Sequence, residues 1–325
     1  MARKLTLDPP GLSEDPVVVA ESIRSGNLNG YSEFSVSTTG TLLYGRGAGF
    51  RNARFSWKDR DGKLIEKIGN PGPIESVFRL SPDGRQVAFT RPPDIWTMDL
   101  ARGFATRLTF TTPNAVRPVW SPDGRFVYFS NADGIFRKSV DGAGTEERLL
   151  KASPTGFVRS ISPDGKYLLY GIGDIMILPL TGEPKPTPFL NSPALEQAAA
   201  FSPDGRWVAY SSDESGRTEI YVQGFPDRRG KWLISDTGGL LPAWRADGRE
   251  LYWRTPDGYA TAASIEPQPS GVKVGKAERL FRITESSSLF EPSSDGRRFL
   301  AAEPEGGGKE RTMVVMQNWA ARLGR

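Results

Sequence analysis

One pentapeptide recurs at a nearly fixed interval, and nothing else in the sequence limits the fold so tightly. It stands as Leu80-Ser-Pro-Asp-Gly84, Trp120-Ser-Pro-Asp-Gly124, Ile161-Ser-Pro-Asp-Gly165 and Phe201-Ser-Pro-Asp-Gly205. Weaker copies follow at Trp244-Arg-Ala-Asp-Gly248 and Ser293-Ser-Asp-Gly296, and a degenerate one precedes at Val36-Ser-Thr-Thr-Gly40. The seven glycines are spaced by 44, 40, 41, 40, 43 and 48 residues, the period of a four-stranded propeller blade. With 36 Gly and 26 Pro among 325 residues, helices would meet breakers too often to form a bundle, which leaves a turn-rich all-β fold.

Each repeat reads alike. An apolar strand runs into the turn, as in Arg117-Pro-Val-Trp120, and another leaves it, as in Phe126-Val-Tyr-Phe129. Pro fixes φ at about −65°, Asp accepts the bridge region, and Gly supplies a left-handed residue. A third strand follows (94–100, 174–180, 219–225), then a shorter and more polar fourth (106–110, 147–150, 231–235). Near-continuous apolar runs fit strands covered on both faces by neighbouring blades.

The sequence therefore predicts a single domain over 1–325: a seven-bladed β-propeller of four-stranded antiparallel blades. The blades fall at 31–69, 75–110, 115–151, 156–190, 196–235, 239–281 and 288–319. The last repeat lacks a fourth strand, and the N-terminal segment 17–23 is predicted to pair into it and close the ring. Segments 4–7 and 312–319 either compete for the third position of that blade or share a five-stranded one.

The chain has no Cys and no His. This removes disulfides, thiolate nucleophiles, zinc–sulfur sites, the commonest general base and the Ser-His-Asp triad. No cofactor or metal is predicted. The net charge of +4 is spread without a basic block, which argues against a nucleic-acid partner. No apolar run is long enough to span a membrane, and the first ten residues lack the apolar core of a signal peptide. Asp59-Arg-Asp-Gly62 opens like a calcium loop but has Asn70 where the twelfth-position acid belongs. Gly306-Gly-Gly-Lys309 lacks the leading Gly and the following Ser/Thr of a phosphate loop.

The repeated positions read as structure. Asp83, Gly84, Asp123, Gly124, Asp164, Gly165, Asp204, Gly205, Asp247, Gly248, Asp295 and Gly296 are the turns. Carboxylates spread round a circumference cannot converge on one ion, and each has a local role. The bases two positions on, Arg85, Arg125, Lys166, Arg206, Arg249 and Arg297, are expected to pair with them weakly. Phe89, Trp120, Phe129, Tyr170, Phe201, Tyr210, Trp244 and Trp253 recur at fixed offsets from the turn and are predicted to be inter-blade core.

These repeats resemble the TolB-like propellers, and more closely the propeller region C-terminal to many bacterial receptor-like Ser/Thr protein kinases. Segments 55–62, 94–103, 201–216 and 220–226 and the terminal Asn318-Trp319 carry the likeness. It covers essentially the whole chain and implies a propeller fold. No kinase Gly-rich loop or His-Arg-Asp element occurs in the 325 residues.

Function is thereby left to the axial channel and its rim. Glu33, Glu75, Arg79, Arg117, Arg159, Glu196, Gln197 and Glu291 stand at the mouths of the innermost strands and differ from blade to blade, as a specific site requires. The sequence predicts a monomeric, non-catalytic binding, scaffold or sensor module that engages a protein, peptide or small ligand at the channel mouth. Two alternatives stay open. One is a hydrolase or lyase whose metal would be held by Glu33, Glu75, Glu196 and Glu291; the other is a detached sensor domain of a receptor-like kinase.

Overall fold

The computed structural model describes residues 2–7, 10–17, 34–37, 39–46, 52–74, 77–110, 114–151, 156–268, 271–283, 290–305 and 312–319. Among them every extended element is a β-strand, and no helix is long and apolar enough to cross a membrane. The chain divides into two compact units, Ala53–Glu303 and the end segments Met1–Asn52 with Pro304–Arg325.

The Ala53–Glu303 unit is a β-propeller of six antiparallel blades. Their innermost strands are Phe78–Leu80, Val116–Trp120, Phe157–Ile161, Glu196–Phe201, Leu240–Trp244 and Phe290–Pro292. Each touches the next, and the last returns to the first, so the ring is closed. The second blade is typical: Val116–Trp120, Phe126–Asn131, Gly134–Ser139 and Glu147–Lys151 pair in sequence order. In the fifth blade, Tyr259–Gln268 overruns the sheet and adds a hairpin with Gly271–Val274 before Glu278–Arg282 completes the blade.

The turns explain why one pentapeptide suffices to punctuate the ring. The Ser81 hydroxyl donates to Asp83 Oδ1 (2.6 Å) and accepts from the Gln86 N–H (2.9 Å), while Asp83 also accepts from the Arg85 N–H (3.0 Å). Gly84 closes the turn with φ 68°. The same bonds recur at Ser121, Ser162, Ser202 and Ser293. At Trp244-Arg-Ala-Asp-Gly248 the Arg245 guanidinium takes over the serine's donor role and donates to both oxygens of Asp247 (2.7 and 2.8 Å).

Hydrogen bonds of this kind favour the charged carboxylate. The serine hydroxyl is the main cause at Asp83, Asp164 and Asp295, which all sit below their ordinary value. At Asp123 it pulls the carboxyl down to about 2. The expected base partners are present at Arg125–Asp123 (2.6 Å), Lys166–Asp164 (3.4 Å), Arg206–Asp204 (2.7 Å) and Arg297–Asp295 (4.0 Å).

Aromatic side chains fill the space between blades as expected. Phe89, Phe129, Tyr170, Tyr210 and Trp253 occupy the same position on the second strand of successive blades, and all are buried. Trp120 and Phe201 are buried as well, whereas Trp244 is half-buried.

Seven repeats give seven sheets of blade type, but strands of the first and last repeats are exchanged. Asn52–Asp59 and Leu64–Pro73 pair with Phe290–Pro292 and Arg298–Pro304 to make the sixth blade of the ring. Phe34–Val36 and Leu42–Arg46 instead pair with Thr312–Met316 in a three-stranded sheet of the other unit.

Burial explains the exchange. Phe55 packs edge-on against Phe78 and Phe89 at 5.1 and 5.3 Å, and Trp57 and Leu300 join the same cluster. Phe34 and Val36, by contrast, remain 56% and 45% exposed. The strands that complete the sixth blade are 52–73, from within the first repeat, whereas the sequence predicts the closing strand at 17–23. Of the latter segment Val17 ends the strand Pro10–Val17, and 18–23 lie outside the described residues. Segment 4–7 does not compete with 312–319: it belongs to Ala2–Leu7, which pairs with Pro10–Val17.

A charged cluster fastens the closing sheet to the fifth blade. Arg60 forks onto Glu250 (2.8 and 3.1 Å), whose Oε2 also accepts from Tyr252 (2.5 Å) and Arg245 (3.2 Å). Despite partial burial, these donors hold the Glu250 carboxyl below its ordinary value.

Candidate functional site

The innermost strands of the propeller unit carry bulges. Pairing slips by one residue between Val116 and Val119, Val158 and Ser160, Gln197 and Ala200, and Leu240 and Ala243. A bulge leaves its extra residue out of the ladder and re-aims it. Here Arg117, Arg159, Ala198 and Leu241 are re-aimed onto the axis, where all four line a narrow passage of about 20 Å³. Arg117, Ala198 and Leu241 hold left-handed backbone, with φ of 56°, 48° and 57°, a conformation costing a non-glycine residue of order 1 kcal/mol.

On the turn side the passage widens into a cavity of about 350 Å³, within the range of small-ligand sites. Its walls include Trp120, Phe201, Trp244 and Phe290, and Pro82, Pro122, Pro163 and Pro203 line it from the turns. The two indoles are pinned: Trp120 Nε1 donates to the Arg79 carbonyl (2.9 Å) and Trp244 Nε1 to that of Ala200 (3.2 Å), each in the preceding blade. Their ring faces are therefore fixed wall rather than mobile cover.

Arg79 and Arg159 line both cavity and passage, Arg117 the passage and Glu291 the cavity; among the described lining residues these are the charged groups. Arg79 Nη1 donates to Glu291 Oε1 (2.8 Å), linking the first and sixth blades. Burial pushes the Glu291 carboxyl above its ordinary value, against the pull of Arg79. Arg159 has a different setting. It donates to the Gly171 carbonyl (3.2 Å) and lies 5.9 Å from the Phe157 ring centroid, over which Arg117 also sits at 4.2 Å. Burial, followed by the like charges of Arg117 and Arg79, pushes the Arg159 pKa down to about 9.

Of the eight residues singled out in the sequence, Arg79, Arg117, Arg159 and Glu291 come together on the axis. Glu33 and Glu75 lie outside the described residues. Glu196 and Gln197 line neither cavity nor passage. Glu196 borders a separate pocket of about 210 Å³ with Phe189, Tyr210, Glu214 and Lys231, where burial raises its carboxyl and Oε2 has no partner. The two described glutamates of the metal alternative, Glu196 and Glu291, thus face different cavities, and no three acidic side chains cluster among the described residues as a metal would need.

Sequence reasoning missed Ala198, Leu241 and Phe290 as lining residues. Small or apolar side chains carry no chemical flag, and the bulge that aims two of them leaves no composition signal.

No family model matches the chain. Among curated proteins it is 27% identical over 206 residues to the uncharacterized protein Atu1656 of Agrobacterium fabrum, covering 52% of this chain and 67% of that one. It is also 27% identical over 155 residues to the uncharacterized peptidase YuxL of Bacillus subtilis, of whose length it covers 23%. Among solved structures, a putative TolB from Agrobacterium tumefaciens aligns with TM-score 0.64 at 19% identity, over 79% of this chain and 99% of that one. TolB from Acinetobacter baumannii aligns at 0.55 and 15%, over 84% and 79%. The β-propeller domain of Cps50 (Swd1) from Myceliophteria thermophila aligns at 0.54 and 14%, over 75% and 83%. Closed ring, four-stranded blades and these neighbours agree: in fold, the protein is a TolB-like β-propeller.

Proposed function

We propose that the protein is a non-catalytic binding module that takes a peptide segment of a partner, or a small ligand, at the turn-side mouth of its axial cavity. The observation that carries this reading is the cavity itself, about 350 Å³ walled by pinned aromatic and proline side chains with arginines at its floor. A concave site that joins apolar walls to a few convergent charged groups is how proteins commonly hold a ligand. The likeness of segments 201–216 and 220–226 to kinase-associated propellers supports sensing as the setting for such an event.

The test is peptide display on the full chain, followed by binding of the enriched peptides to Ala246→Trp and Ala200→Trp. Ala246 is an exposed turn residue at the cavity and Ala200 lines its wall. Loss of binding in both variants is the expected result. Peptides that bind both variants as they bind the parent would place the site elsewhere and overturn the reading.

A further inference from the structure

We infer that the floor of the axial cavity is an oxyanion site, with Arg159 as its anchor, which takes a carboxylate or phosphate group of the ligand. This deepens the binding reading above and rests on it for the identity of the mouth.

Two guanidinium groups, of Arg79 and Arg159, line the cavity where it meets the passage, and the carboxylate among the described lining residues is that of Glu291. That carboxylate is already engaged: it lies on Arg79 at 2.8 Å and accepts from the Leu80 N–H at 3.4 Å. Among the described residues, the groups acting on Arg159 are a backbone carbonyl, an aromatic ring and two like charges. A cation partly withdrawn from water and set among like charges is costly to hold, and the cost is relieved when an anion arrives. An arginine fork in a cavity is suited to that task because its paired N–H donors match the two oxygens of a carboxylate or phosphate.

Placement supports the same conclusion. Arg159 stands at a bulge in its strand and so reaches the axis instead of packing between blades. It remains half-buried rather than sealed, so a ligand entering from the turn side can reach it. Phe157, within cation–π range of both Arg117 and Arg159, limits where the two guanidiniums can sit. The blade-specific positions near the axis therefore supply a charge pattern that a repeated position could not.

The experiment is calorimetric titration of two probes, inorganic phosphate and succinate, into the full chain and into Arg159→Gln, Arg159→Lys and Arg85→Gln. At least one probe is expected to bind the parent with an affinity that falls as salt is raised. Arg159→Gln should weaken it at least about tenfold, Arg159→Lys less, and Arg85→Gln, on a turn away from the floor, not at all. Binding of phosphate alone or of succinate alone identifies the oxyanion the site prefers. If Arg159→Gln does not fold, the lysine variant, which keeps the charge and loses the fork, carries the comparison.

Equal affinity in the parent and the Arg159 variants, or no binding of either probe into the millimolar range, overturns the site. Display peptides that need an open mouth while neither probe binds would sink the oxyanion site and leave the binding reading intact. Probe binding that depends on Arg159, with no peptide at the mouth, would do the reverse.

Discussion

Ser162 and Arg159 stand three residues apart in the third blade, and their surroundings differ in kind. The Ser162 hydroxyl donates to Asp164 (2.6 Å) and accepts from the Tyr167 N–H (2.9 Å), a pattern that recurs in four other blades. Arg159 sits at a bulge, and among the described residues the charges that act on it are like charges, those of Arg117 and Arg79. The equivalent stretches elsewhere carry different side chains: Arg79 in the first blade, Arg117 in the second, Ala198 in the fourth, Leu241 in the fifth and Glu291 in the sixth. The repeated positions satisfy one another and stabilise the disc. The varied ones accept left-handed backbone at Arg117, Ala198 and Leu241 and a guanidinium set among like charges at Arg159, as sites shaped for a ligand commonly do.

The sharpest way to break this division is to remove a repeated core side chain. Phe129 is fully buried and stacks on Phe136 with centroids 5.7 Å apart. Phe129→Ala should cost about 3–5 kcal/mol in denaturant unfolding; a cost below 1 kcal/mol, roughly that of a surface change, would mean that the blade interface does not carry stability.

Next comes the turn. Ser121→Ala removes a donor to Asp123 and an acceptor for the Phe126 N–H, and should cost about 1–2 kcal/mol. The same substitution should alter the acid limb. Asp123 is held at about 2 against an ordinary 3.8, so its contribution is complete above pH 3.8 and is lost as pH falls toward 2. Without the hydroxyl the folded value rises toward 3.8 and this acid dependence shrinks. An unchanged Asp123 titration by NMR in Ser121→Ala would contradict the assigned cause.

The smallest effect has the opposite sign. Ala198 holds φ 48°, so Ala198→Gly should relieve strain and leave stability equal or higher by up to about 1 kcal/mol. Gly124→Ala, at φ 69° where a Cβ would meet Pro82 Cδ at an ordinary 3.9 Å, should instead lose about 1–2 kcal/mol from backbone strain alone. If both changes moved stability the same way, the contrast between axis and turn would fail.

Much of this was readable in the chain, and the limits have physical causes. The spaced Ser-Pro-Asp-Gly turns disclose blades and strand order because each turn is a local device whose bonds span five residues. The exchange of Phe34–Val36 and Asn52–Asp59 between sheets was not readable, because both segments have strand character and only the burial of Phe55 and Trp57 against Phe78 and Leu300 decides between them. Arg79, Arg117, Arg159 and Glu291 were legible among eight positions at the strand mouths because those positions differ from blade to blade. That Glu196 faces another pocket depends on strand register, which a slip of one residue reverses.

The central claim is that ligand enters the axial cavity from the turn side, and the eight tryptophans offer a direct readout. Among the described residues only Trp120 and Trp244 line that cavity. With the indole N–H signals assigned, titration with the probe that binds should shift these two while those of Trp57, Trp207 and Trp253 stay in place. Shifts confined to the latter three, with Trp120 and Trp244 unmoved, would contradict the account.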